Sequence, residues 1–161
     1  MPFGGRALAQ GGTNVKSPST GARHALNLPI ATDLAQDGAV SRQHALPILL
    51  FFDRQDCPYC ERALREFLVP MANGEDWRDR ALYRQIEIDQ ALPLTAFDGA
   101  TTTHRAFARQ HRIELTPTII MVDATGTTLG KPLVGLMTPD FYGAYLEAAI
   151  NAAAAKVARV T

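Results

Sequence analysis

The stretch LPILLFF at 46–52 is almost wholly apolar, and just beyond it the only two cysteines of the chain stand in CPYC at 57–60. A short, near-continuous apolar run reads as a strand buried on both faces, and such a strand needs helices on both sides of its sheet. Pro58 is best accommodated at the first position of a helix, which makes Cys57 the expected N-cap. Strand, CxxC and helix thus follow one another within residues 46–60, and the rest of the fold has to be built around that unit.

Periodicity supplies the remaining elements. Cys60, Leu64, Phe67, Leu68 and Met71 form one stripe of an amphipathic helix, which Pro70 is expected to help end. Upstream, Thr32 or Asp33 can N-cap a short helix to about His44, weakened by Gly38. Downstream, LYRQIEID at 82–89 alternates as a second strand, QALPLTAFDGATTT at 90–103 reads as a long polar insertion, and a helix follows from about Thr103 to His111. TIIMV at 118–122 is a third strand, and Asp123-Ala124-Thr125-Gly126 supplies a hairpin turn into TTLGKPLVG. Pro132 is tolerable in that fourth strand only at a sheet edge. A last helix from about Pro139 to Val157 is expected to bury Phe141, Tyr145, Leu146, Ala149 and Ile150. The order predicts an α/β/α sandwich with a mixed sheet of about four or five strands flanked by helices, including an extra helix at the N-terminal end.

The 161 residues suffice for one domain and a tail. Residues 1–29 are rich in Gly, Ser, Thr, Asn and Pro without a period, so they are expected to be a tail, a linker or the remnant of a signal peptide, with the domain at 30–157. Ala7-Leu8-Ala9 before Gln10 has the small-x-small form of a secretory cleavage site, although no apolar segment precedes it. The 46–52 run is far short of the roughly 20 apolar residues that span a bilayer. Sixteen basic residues balance sixteen acidic ones, so no net field favours nucleic acid or an anionic membrane as partner.

The cysteines can be a staple, a metal site or a reaction centre. A disulfide across two residues closes a tiny loop and removes little entropy from the unfolded chain. A zinc site usually takes four ligands, and there is no second cysteine pair; His104 and His111 read as surface histidines of one helix rather than ligands. Helix geometry makes the pair asymmetric: a Cys57 thiolate at the N-cap is stabilised by free N–H groups and the positive helix end, which lowers its pKa. Cys60, one turn further on the apolar stripe, is expected to be the buried, resolving thiol. Arg54 favours the thiolate and Asp56 disfavours it. Asp53 is a candidate acid–base group for Cys60, and Tyr59 a candidate cover and substrate contact. The chemistry asks for neither cofactor nor metal.

These motifs, taken together, resemble the thioredoxin superfamily over about residues 30–155. PILLFF and CPYC resemble the first core strand and active-site loop, IEIDQ the next strand, and FARQHRIELTPTIIMVDATGTTLGKPLVG the helix, cis-proline loop and closing hairpin. The resemblance implies a cis Thr116–Pro117 peptide beside the cysteines and a thiol–disulfide oxidoreductase acting as a monomer on protein disulfides or dithiols. CPYC is the glutaredoxin dipeptide, but the glutathione-binding pattern is missing, since no TVP precedes the third strand and GLMTPD follows the fourth. The N-terminal helix, FF-acid strand end, FDG insertion and Thr116 are more similar to exported, SoxW-like bacterial thioredoxin relatives. That likeness implies a periplasmic or otherwise exported enzyme kept reduced by a membrane thiol donor, with a cytoplasmic location still open. Phe51 stands where the family carries a buried acid and Asp56 where it carries a tryptophan, leaving Asp53 as the substitute acid. The rival readings are a glutathione-dependent, glutaredoxin-like reductase and a metal-binding or chaperone module on the same scaffold.

Overall fold

The computed structural model describes residues 27–160. Strand β1 (Ile48–Asp53) is buried at every position. It pairs in parallel with β2 (Leu82–Glu87) and antiparallel with β5 (Thr118–Val122), and β5 pairs antiparallel with the edge strand β6 (Leu133–Val134). The order β2-β1-β5-β6 makes a mixed four-stranded sheet.

Alternation sorts β1 between two cores. Leu49 and Phe51 join Ile119, Met121 and the helical residues Leu64, Leu68, Tyr142, Leu146 and Ile150 on the cysteine side. Ile48, Leu50 and Phe52 join Leu34, Ile86, Leu94, Phe107, Ile120 and Val122 on the other. Each fully buried Leu, Ile or Phe contributes roughly 1.5–3 kcal/mol of apolar transfer.

Helix α1 (Leu34–His44) starts where Asp33 accepts the Gln36 N–H at 2.8 Å. Gly38 is a packing requirement and not merely a weak helix former: a Cβ there would lie 2.3 Å from the Ala124 carbonyl oxygen. Asp37, buried on this helix, takes a two-pronged hydrogen bond from Arg84, which ties α1 to β2.

The helix after the cysteines runs through Pro70. It comprises α2 (Pro58–Ala63), a π-helical turn (Leu64–Leu68) and α3 (Val69–Asn73). Val69 donates its N–H to the Leu64 carbonyl five residues back, so the widened turn takes up the proline that an unbroken α-helix would reject. The expected termination at Pro70 is therefore corrected to Asn73.

Further corrections follow from packing. Within the polar insertion, β3 (Pro93–Thr95) and β4 (Thr101–Thr103) form a hairpin turned at Asp98-Gly99, where Gly99 has a φ of 83°. Each strand is three residues, too short to show a period. Leu94 is buried, and Phe97 packs on Phe107 of α4 (His104–Gln110). The expected strand 127–135 is reduced to a bridge at Thr128 and the two residues of β6, because Pro132 has no N–H to give the ladder. On α5 (Pro139–Ala158) the buried stripe is Tyr142, Leu146, Ile150 and Ala153, whereas Phe141 and Tyr145 face outward.

Residues 1–26 of the expected tail lie outside the described residues, and Asn27 to Pro29 belong with the domain. Leu28 is buried in the cysteine-side core, Pro29 accepts the Gln85 N–H at 2.9 Å and Ile30 bridges β2 in parallel. His104 is also not a surface residue. It is fully buried, with Nδ1 accepting the Glu87 N–H at 2.9 Å and Nε2 donating to the Ala31 carbonyl at 2.8 Å.

Helix propensity alone would make Gly38→Ala stabilising by up to about 1 kcal/mol. The contact with the Ala124 carbonyl reverses the sign, and a loss of roughly 1–3 kcal/mol is expected in urea unfolding. A gain in stability would show that α1 can slide away from the turn at no cost.

Candidate active site

β1 delivers the chain to the site. After Asp53 the residues Arg54, Gln55 and Asp56 turn outward, with Asp56 in the left-handed region at a φ of 54°, and α2 begins. Cys57 is the N-cap and Pro58 stands in the first turn. The Cys57 Sγ accepts the Cys60 N–H at 3.2 Å, and the Cys57 carbonyl accepts the Glu61 N–H. Cys57 and Cys60 are joined as a disulfide, their Cα atoms 5.2 Å apart. Cys57 retains 7% exposure and Cys60 2%, while Tyr59 between them is 64% exposed.

A second loop closes over the pair. The Thr116–Pro117 peptide bond is cis, and the Thr116 hydroxyl lies 3.6 Å from the Cys57 Sγ. Pro117 is held from the β6 side by the Gly135 N–H, 2.7 Å from its carbonyl oxygen. Thr116 and Pro117 are thus brought to the cysteines from the far end of β5, as β5 runs antiparallel to β1.

Asp53 sits at the last position of β1, only 8% exposed. It shares the face of β1 that carries Phe51, two residues nearer the cysteine loop. A small cavity of about 150 Å³ is lined by both Asp53 and Cys60, together with Glu61, Leu64, Gln85 and Glu87. The Asp53 Oδ2 accepts from the Gln85 Nε2 at 2.8 Å, and its Oδ1 has no hydrogen-bond partner among the described residues. Burial, then the neighbouring Glu87 and Asp89 carboxylates, push the Asp53 carboxyl from an ordinary 3.8 up to about 7, against the lowering effect of the Gln85 hydrogen bond.

Gln85, Glu87 and Asp89 were not among the sequence candidates. The available signal was positional: Gln85 is a polar residue at an inward position of a strand, in register with Phe51, and Glu87 is in register with Asp53. Arg54 and Asp56 are exposed beside the loop. Among the described residues, no three His, Cys, Asp or Glu side chains group as metal ligands, and no helix is long and apolar enough to cross a membrane.

Known proteins give the class. The thioredoxin-like domain family matches residues 34–150, and the chain belongs to that family. Among solved structures, mitochondrial thioredoxin 3 of Saccharomyces cerevisiae in its oxidised form is 14% identical, with 77% of this chain and 93% of that one covered and a TM-score of 0.52. Fasciola hepatica thioredoxin is 13% identical, with 77% and 97% covered and a TM-score of 0.52. The periplasmic thioredoxin SoxS of Paracoccus pantotrophus is 21% identical, with 66% and 98% covered and a TM-score of 0.46. Identities this low speak for the fold alone. No curated protein matches the chain. A thioredoxin fold whose CxxC cysteines lie within disulfide distance supports the general class of thiol–disulfide oxidoreductase.

The raised Asp53 pKa has a consequence for stability. The folded state holds a proton that the unfolded state gives up near pH 3.8, so stability falls as pH rises from there to about 7. Asp53→Asn, which keeps an oxygen for Gln85, should be nearly neutral at about pH 4 and stabilising by roughly 2–4 kcal/mol above pH 7. Urea unfolding at a series of pH values checks this. A difference that does not vary with pH would mean that Asp53 titrates normally.

Proposed function

We infer that the protein is a thioredoxin-like thiol–disulfide oxidoreductase that reduces or rearranges disulfides of protein partners, with Cys57 as attacking thiol and Cys60 as resolving thiol. The observation that carries the reading is the N-cap geometry. The Cys57 Sγ faces the amide end of α2 and accepts the Cys60 N–H, an environment that favours its thiolate, while Cys60 is more enclosed.

In the reductive direction the Cys57 thiolate attacks one sulfur of a partner disulfide. A Cys57–partner bond forms, the partner disulfide breaks, and its other sulfur leaves as a thiolate. Cys60 then passes its proton to the Asp53 carboxylate, across or through the cavity that both residues line. The Cys60 thiolate attacks the Cys57 Sγ, the internal disulfide forms, and the second partner sulfur departs. The dithiol loses two electrons and the partner disulfide gains them. An acid that titrates near neutrality suits this exchange, because it gives and takes a proton at similar cost.

The supporting roles follow from placement. Pro58 starts the helix, exposed Tyr59 offers an aromatic contact to a partner, and Thr116 with Pro117 flanks Cys57 where an extended partner segment would lie. The exported setting, the membrane thiol donor and the monomeric state belong to this reading through the sequence resemblance; cell fractionation, a search for donor mixed disulfides and sedimentation test them. The CPYC dipeptide favours a glutaredoxin-like reading as the second choice. Turnover that depends on glutathione would establish it.

Cys57→Ser should abolish reduction of a protein disulfide, whereas Cys60→Ser should attack once and accumulate covalent mixed disulfides. Alkylation of the reduced protein should find Cys57 reacting well below the free thiol value of about 8.5, with Cys60 lagging. Trapping by Cys57→Ser and not by Cys60→Ser would reverse the assignment.

A further inference from the structure

Gln85 is 1% exposed, on the second strand of the sheet, and its side-chain amide has only one workable orientation. The Leu28 backbone N–H lies 3.1 Å from one amide atom and can only donate, so that atom is Oε1. Nε2 is then turned to the Asp53 Oδ2 at 2.8 Å. The backbone of Gln85 is pinned as well, donating to Pro29 and accepting from Ala31. A continuous relay therefore runs from the N-terminal segment through Gln85 to the carboxyl beside the cysteines.

We propose that Gln85 is a positioning residue for disulfide exchange: its amide, oriented by the Leu28 N–H, occupies one oxygen of Asp53 and leaves the other for the proton that Cys60 releases. The inference rests on the reading of Asp53 as that proton acceptor. Chemically, the Gln85 hydrogen bond favours the ionised carboxylate, which is the form able to take a proton. It opposes the environment that Asp53 meets elsewhere. Glu87 and Asp89 repel its charge from the β2 side, Arg54 and Asp56 lie in the cysteine loop, and Glu61 and Cys60 line the cavity from α2. Among the described residues, it is the Gln85 side chain that donates to Asp53. Removing the donor leaves burial and the acidic neighbours unopposed, so the carboxyl should hold its proton to higher pH.

The test isolates the resolving step. The reduced protein is mixed with 5,5′-dithiobis(2-nitrobenzoate), and the second equivalent of 5-thio-2-nitrobenzoate reports attack of Cys60 on the mixed disulfide at Cys57. Its first-order rate is followed across a pH series spanning neutrality. The intact chain should show a midpoint set by Asp53, and Gln85→Leu should move that midpoint up by about one pH unit. Gln85→Glu is isosteric and keeps an oxygen for Leu28, but it sets a second buried carboxyl against Asp53; the two cannot both ionise, so the pair keeps its last proton to higher pH and the midpoint should rise as well. If only the Leu variant shifts, the effect comes from loosening the N-terminal segment and the proposal fails. It also fails if neither variant shifts while Asp53→Asn abolishes the midpoint, an outcome that leaves the Asp53 reading intact. A midpoint that survives in Asp53→Asn overturns that reading itself. Should Gln85→Leu fail to fold, the Glu variant decides, with the infrared carboxyl absorption of the pair formed by Asp53 and the introduced glutamate titrated in the same protein.

Discussion

Burial of β1 on both faces is the constraint from which the molecule is built. A strand with no solvent-facing side must have a sheet neighbour on each edge and a helical layer above and below, and β2, β5, α1, α4, α2 and α5 supply them. Because successive side chains alternate, the same strand sends Leu49, Phe51 and Asp53 to one layer and Ile48, Leu50 and Phe52 to the other. At its C-terminal end a rigid, buried backbone meets the surface. The cysteine loop begins there, so the reactive pair inherits its position from the core.

At that end, stability and chemistry pull in opposite directions. Asp53 occupies a site that apolar packing would fill at lower cost, facing the core that holds Phe51 and Cys60 and near two further carboxylates. A cost of this kind is common at groups that change protonation state in a reaction, the role proposed above for Asp53. The Gln85 relay moderates it without removing it, since one carboxylate oxygen is left without a partner among the described residues. The N-terminal segment, bridged to the outer edge of β2 at Ile30, thereby reaches the site through the Gln85 side chain, and its Asn27 lines the same cavity.

Local patterns were legible because their physics is local. The apolar run, the Pro58 start with Cys57 as cap, an N-cap at Thr32 or Asp33 and the Pro132 edge strand all depend on backbone rules that act over a few residues. On α5, Leu146 and Ile150 are buried as the period implies, whereas Phe141 and Tyr145 face outward and Tyr142, in edge contact with Phe67, turns inward. The hairpin at 93–103 leaves no mark in the sequence pattern because three-residue strands carry no period. His104 looked like a surface histidine because nothing nearby in sequence announces the Glu87 N–H and the Ala31 carbonyl that enclose it.

The sequence by itself determined the fold class, the order of its elements and the two reactive sulfurs, since hydrophobic period, helix caps and cysteine spacing are properties of contiguous residues. Only the tertiary structure decided what surrounds those sulfurs. Asp53 became a buried acid titrating near neutrality because the fold takes its carboxyl out of water and β2, in register beside β1, sets the Glu87 carboxylate against it, while the Gln85 hydrogen bond pulls the other way. Thr116 reached Cys57 because β5 runs antiparallel to β1. Desolvation and through-space charge depend on what the folded chain places nearby, whatever the separation along it, and that is why the environment of the site could not be read from the stretch that contains it.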